Sequence, residues 1–136
     1  MDTKVLDSWV LMALFNDQSG AEQAENLLHD AATARCRLLM CVVNWGEIYY
    51  SIMRAHSQQA AEEKARQIAA LPIELVPVEA DLALVRQAAV FKASYRISYA
   101  DAFAAALAKI SKAELVTGDP EFEPLKGDVK IRWLRT

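Results

Sequence analysis

Short apolar runs and longer amphipathic stretches alternate along this chain. KVLD (4–7), RLLMCV (37–42), IELVPV (73–78), ELVT (114–117) and VKIRWL (129–134) are too short for stable helices and rich in branched or long apolar residues, so they read as strands. The stretches between them carry helical patterning. SWVLMALFN (8–16) and AEQAENLLHDAATA (21–34) follow the first strand, and VNWGEIYYSIMRA (43–55) and SQQAAEEKARQIAAL (57–71) the second. EADLALVRQAAVFKASY (79–95) and the alanine-rich SYADAFAAALAKI (98–110) follow the third. In 57–71, Ser57 is a plausible cap, Ala61, Ala65 and Ile68 share one side, and Pro72 stops the helix.

Strands separated by helices join in parallel, through crossovers. The expected fold is therefore α/β: a three-layer α/β/α sandwich around a five-stranded, mainly parallel sheet. In such sheets ligands collect beyond the carboxyl ends of the strands, where the strand order reverses.

With 136 residues, 54% hydrophobic and 24% charged, the chain has the size and balance of one domain, 1–136. Four glycines, four prolines and no low-complexity tract offer no linker. No leader pattern opens the sequence and no apolar run approaches the ~20 residues that span a bilayer. A soluble cytoplasmic protein with no membrane role is expected. Cys36 and Cys41 flank RLLM on one strand, which holds them apart, so both read as reduced packing residues.

A net charge of -3 argues against a whole-surface attraction to nucleic acid. Local cations remain. Arg86, Lys92 and Arg96 form one group, and Lys126, Lys130, Arg132 and Arg135 another; either is also explained as a solvated face. Lys92, Arg96, Arg132 and Arg135 are the candidates for phosphate contacts, which give register without reading bases.

Four acids stand at equivalent places. Asp7 ends the first strand and Asp119 follows the fourth, so both belong at the carboxyl edge if those strands are neighbours. Glu47 is expected in the first turn of the helix after the second strand, and Asp101 in the first turn of the alanine-rich helix. Each has a local explanation as a helix cap: NWGE (44–47) and SYAD (98–101) match the capping-box spacing, and Asp7 and Asp119 precede helical starts. Ser, Thr or Asn would cap as well, however, and four converging carboxylates repel unless protonated or neutralised. An oxygen-only set without histidine or cysteine suits magnesium or manganese rather than zinc. His29 and His56 fall outside the cluster.

At these residues the chain resembles the PIN-domain ribonucleases, and more narrowly the VapC-type toxins of toxin-antitoxin pairs. LDSWVLMALF, VVNWGEIYY, ISYADAFAAALAK and LVTGDPEF occur in the family's order and span nearly the whole chain. The resemblance implies that Asp7, Glu47, Asp101 and Asp119 are the metal-site acids, with Thr117 the hydroxyl beside the last and Ser8 and Asn44 accessory. It further implies a bound Mg2+ or Mn2+, endonucleolytic cleavage of RNA leaving a 5′-phosphate and a 3′-hydroxyl, a homodimer, and a small antitoxin that obstructs the site. Asp7 and Asp119, leaving rigid strand ends, are the expected direct ligands. Asp101 and Glu47 bind through water, take a proton from the nucleophile or hold a second ion.

Two other readings compete. A phosphoacceptor receiver would need an aspartate after the third strand, where PVEADL offers only Glu79 and Asp81. A non-catalytic RNA-binding or interaction module would use the same acids as caps. Trp9, Trp45, Tyr49, Tyr50, Ile52 and Met53 are expected to be mainly core, with any surplus forming a dimer face or a groove for a partner helix.

Overall fold

The computed structural model describes residues 2–134. Five strands form one sheet: β1 (Asp2–Leu6), β2 (Cys36–Cys41), β3 (Glu74–Val76), β4 (Glu114–Thr117) and β5 (Ile131–Trp133). Their order is β3-β2-β1-β4-β5 and every pairing is parallel. The chain steps outward on one side from β1 to β3, then returns to β4 on the other side of β1. The strand order therefore reverses between β1 and β4.

Side chains alternate across the strands and separate the core into two halves. Leu6, Leu38, Met40 and Val116 pack against helices α1 (Ser8–Phe15), α2 (Ala21–Ala32), α3 (Val42–Ala55) and α4 (Gln58–Ala69). Val5, Leu39, Cys41 and Leu115 pack against α5 (Ala83–Ser94), α6 (Tyr99–Ser111) and the 3-10 turn Pro120–Leu125. Three layers result. Helix α6 is buried from Asp101 through Ala108, and its run of alanines explains how a helix sits so deep: small side chains let it approach the sheet and α5 closely.

The register of the two central strands starts at their amino ends. Lys4, only 4% exposed, donates to Asp2 at 2.7 Å and to Glu114 at 2.6 Å. Its pairing places Lys4 opposite Glu114 and Leu6 opposite Val116. The next residue on each side is Asp7 and Thr117.

Several boundaries differ from those read in the sequence. The third strand is short, because Pro77 has no amide to continue a ladder. The helix expected over 79–95 starts only at Ala83: Leu82 is left-handed (φ 69) and Asp81 Oδ1 accepts from the Ala83 amide at 3.1 Å, so 79–82 is a turn. The helix after β2 starts at once, at Val42, with Cys41 as its extended cap residue. Asn44 therefore lies inside that helix and Glu47 in its second turn, so NWGE is not a capping box. Both cysteines are free and buried. Among the described residues, no helix is long and apolar enough to cross a membrane.

Ala105 has no exposed surface. Ala105→Leu should cost about 1–3 kcal/mol through overpacking. Urea denaturation measures this, and an unchanged midpoint would contradict the close seating of α6.

Candidate metal centre

At the carboxyl ends of β1 and β4 a cleft of about 290 Å3 is lined by Asp7, Ser8, Glu47, Ser98, Asp101, Asp119 and Glu121, with Trp9 and Met12 as apolar walls. All four acids singled out in the sequence line this cleft, with an additional one, Glu121. Every titratable wall residue is an acid.

Thr117 joins the two strand ends. Its fully buried hydroxyl donates to Asp7 Oδ2 at 2.7 Å and accepts from the Asp119 amide at 3.0 Å. This answers why ELVT ends in a hydroxyl: one side chain must give a proton to one acid segment and take one from the other. Asp7 itself is 1% exposed, and its Oδ1 has no hydrogen-bond partner. Leaving such an oxygen buried costs about 1–3 kcal/mol unless something binds it. Burial foremost, reinforced by the charges of Asp101 and Asp119, holds the Asp7 carboxyl well above the ordinary aspartate value, against the Thr117 hydroxyl and the weaker pull of the Val10 amide.

Asp101 rises from the first turn of α6. Ser98 caps that helix by accepting from the Asp101 amide at 3.0 Å, so SYAD does supply a cap. The carboxylate itself lines the cleft. Burial, then the negative charges of Asp119 and Glu47, push it up to about 7, with the Ser98 hydroxyl opposing. Glu47 accepts from the Ser8 hydroxyl. Asn44, fully buried, donates from Nδ2 to the Ala100 carbonyl at 3.0 Å and so ties α3 to the turn bearing Asp101, while its Oδ1 lacks a partner.

Asp119 accepts from the Glu121 amide at 2.9 Å and begins the 3-10 turn, which brings Glu121 round to the same cleft. One oxygen each of Asp101, Asp119 and Glu121 lie within 4.8 Å of one another; Asp7, expected as a direct ligand, and Glu47 line the cleft but are not part of that group. Glu121 is the residue that sequence reading overlooked. Its signal was the second acid in DPE: an aspartate that caps a tight turn by holding the amide two residues on directs both acids to one side.

Capping accounts for part of this arrangement only. Ser98 and Asp119 make cap bonds, whereas Asp7 makes no side-chain cap bond to α1 and Glu47 lies beyond the first turn. The orphaned Asp7 oxygen and the three converging carboxylates fit a hard divalent cation with oxygen ligands.

The cations singled out in the sequence are dispersed. Lys92 donates to the Ile97 carbonyl at 2.7 Å, and Arg96 is exposed in the loop leading to Ser98 and does not line the cleft. Arg132 acts instead on Asp2 and Glu114, at the amino ends of the strands. Arg135 lies outside the described residues. A larger cleft of about 580 Å3 opens at those amino ends, but its walls mix Lys109, Lys112 and Lys130 with Asp2, Glu114 and Asp128 and define no single charge. Of the aromatic and apolar group, Ile52 is buried and Trp9, Trp45 and Tyr49 pack on the core, while Tyr50 and Met53 are 47% and 45% exposed.

The family model described as PIN domain matches residues 4–127. No curated protein gives a significant match. Among solved structures, DNA-bound VapBC from Salmonella typhimurium has a TM-score of 0.75 at 14% identity, covering 98% of this chain and 99% of that one. VapC20 from Mycobacterium tuberculosis, described as a sarcin-ricin loop cleaving toxin, has a TM-score of 0.69 at 20% identity, with coverage of 95% and 98%. VapBC2 from Rickettsia felis, bound to a fragment of promoter DNA, has a TM-score of 0.71 at 14% identity, with coverage of 96% and 97%. At these identities the likeness is one of fold.

Asp7 and Asp101 hold protons more tightly folded than unfolded. Their contribution to stability is therefore complete below the ordinary aspartate value of 3.8 and is lost as pH rises, for Asp101 through about 7. Metal-free melts of wild type and Asp101→Asn across this range should diverge with rising pH. The variant gains on the order of a few kcal/mol relative to wild type by pH 8. Superimposable pH profiles would contradict the burial and repulsion assigned to Asp101.

Proposed function

Since this chain belongs to the PIN domain family, we propose that it is a divalent-metal-dependent endoribonuclease, the VapC-type toxin of a toxin-antitoxin pair. The observation that carries this reading is the buried, unpartnered Oδ1 of Asp7 in a cleft whose other ionisable groups are all acids. Such an arrangement is costly unless the acids keep their protons or a cation neutralises them, and a cation accounts for acids being gathered here at all.

Asp7, Asp101 and Asp119 hold the ion, with Glu121 and Glu47 completing its surroundings. Magnesium or manganese, when bound, supplies charge neutralisation at phosphoryl oxygens and ionisation of water near neutral pH. The chain's own residues do the rest. Thr117 fixes the Asp7 carboxylate by occupying Oδ2, leaving Oδ1 as its free donor atom. Glu47, oriented by Ser8, accepts the proton of the attacking water. Asn44 keeps the start of α6, and with it Asp101, against α3. Attack at phosphorus with departure of the 3′-oxygen, which takes a proton from solvent, leaves a 5′-phosphate and a 3′-hydroxyl.

The substrate is RNA. Support comes from VapC20, described as cleaving the sarcin-ricin loop, and Arg96, exposed two residues before Ser98 of the cleft wall, is the cation proposed for a flanking phosphate. An antitoxin partner is proposed on the likeness to VapBC complexes. Exposed Tyr50 and Met53 on α3 offer apolar area for a second copy of the chain.

Purified protein should cut RNA with Mg2+ or Mn2+ and stop on chelation. Asp7→Asn and Asp119→Asn should each lower the rate by about a hundredfold or more while the protein stays folded. Undiminished metal-dependent cleavage by both folded variants would overturn the assignment. Light scattering should show a dimer; a monomer at micromolar concentration would contradict the proposed pairing through α3.

A further inference from the structure

The glycine of LVTGDPEF is required by a neighbour rather than by its own dihedral angles. A Cβ built on Gly118 would fall 2.2 Å from Cη2, 2.3 Å from Cζ2 and 2.6 Å from Cζ3 of Trp9. Carbon atoms do not approach so closely without displacement, so the six-membered part of the indole lies directly on the Gly118 backbone. The same ring meets a second glycine. Gly20, with φ +95 in the turn before α2, would bring a Cβ to 2.9 Å from Trp9 Cη2.

Three consecutive residues at the start of α1 thus each touch a different part of the acid site. Asp7 accepts from Thr117, Ser8 donates to Glu47, and Trp9 covers Gly118. Gly118 is the single residue between Thr117, tied down by its hydroxyl, and Asp119, the first acid of the arm that also bears Glu121. Trp9 is not simply core. It is half-buried and forms one wall of the cleft itself.

We infer that Trp9 is a positioning residue for the 118–121 arm: its indole fills the space that only a glycine at 118 leaves, and so sets how near Asp119 and Glu121 stand to Asp101. This rests on the cation-site reading proposed above and adds to it a residue that touches neither ion nor RNA phosphate. The indole is a rigid plane, so moving it or thickening residue 118 must move the arm. The carboxylate oxygens that lie within 4.8 Å of one another would then separate.

The test is a reciprocal pair, Gly118→Ala and Trp9→Phe, alone and combined. Phenylalanine lacks the outer indole carbons that the new methyl would strike. Amide resonances of Asp119, Glu121 and Phe122 in the metal-free protein report the arm, and paramagnetic broadening by Mn2+ reports the site. Gly118→Ala should shift those resonances and weaken Mn2+ binding by about 10- to 100-fold, the range for residues that support metal ligands. Adding Trp9→Phe should return the resonances toward wild type and recover most of the affinity. If Gly118→Ala alone does not fold, the double variant folding with the arm near its native position is the predicted rescue. Unmoved arm resonances in Gly118→Ala, or a double variant no better than it, would overturn the inference. Wild-type protein without Mn2+ broadening at Asp101 and Asp119 would sink the cation reading, while the metal-free resonances still decide the role of Trp9.

Discussion

Mutual repulsion among carboxylates is the constraint around which this molecule is organised. Asp7 is almost fully buried, Asp101 nearly so, and Asp119, Glu121 and Glu47 share their cleft. Burial already disfavours a charged aspartate, and each further acid adds to the penalty, which is why Asp101 is pushed up to about 7. Folding brings these groups together only because the rest of the structure is stable enough to bear it. The oxygen without a partner on Asp7 and the charges of Asp101 and Asp119 around it are what the proposed cation site rests on.

The fold reaches this state by steps that can each be traced to residues. Lys4 pairs with Asp2 and Glu114 and so aligns β1 with β4 at one end. The parallel register then brings Leu6 opposite Val116, and at the other end Asp7 meets Thr117. The alanines of α6 let that helix sink against the sheet, and Asp101 in its first turn follows. Trp9 presses on Gly118, and Asp119 caps the turn that returns Glu121. Carboxylates distant in sequence are therefore gathered by backbone register and close packing, without any one element being built for the purpose.

Much of this follows from the sequence alone. Short apolar runs separated by paired helices dictate parallel strands, and acids at strand ends dictate a cluster at the carboxyl edge, since both follow from chain geometry alone. Boundaries were less legible where a local signal pointed the wrong way. NWGE has the spacing of a capping box, yet the helix starts earlier because Cys41 passes from strand to helix without a loop. EADL looks helical by propensity but forms a turn, with Leu82 left-handed. Glu121 was missed because its direction depends on the Asp119 cap bond, and the pressure of Trp9 on Gly118 is a tertiary contact that no spacing rule encodes. The cations were the least legible part: the charge of Arg132 acts on Asp2 and Glu114, because the strand that carries it lies beside β4, and that neighbour is fixed by sheet order rather than by any local motif.

The most direct test of the central claim is a crystal of the protein grown or soaked with Mn2+ and measured at a wavelength where manganese scatters anomalously. The account predicts an anomalous peak coordinated by Asp7 Oδ1 together with carboxylate oxygens of Asp101 and Asp119. Well-ordered carboxylates bonded to one another through shared protons, with no peak between them at saturating Mn2+, would contradict it.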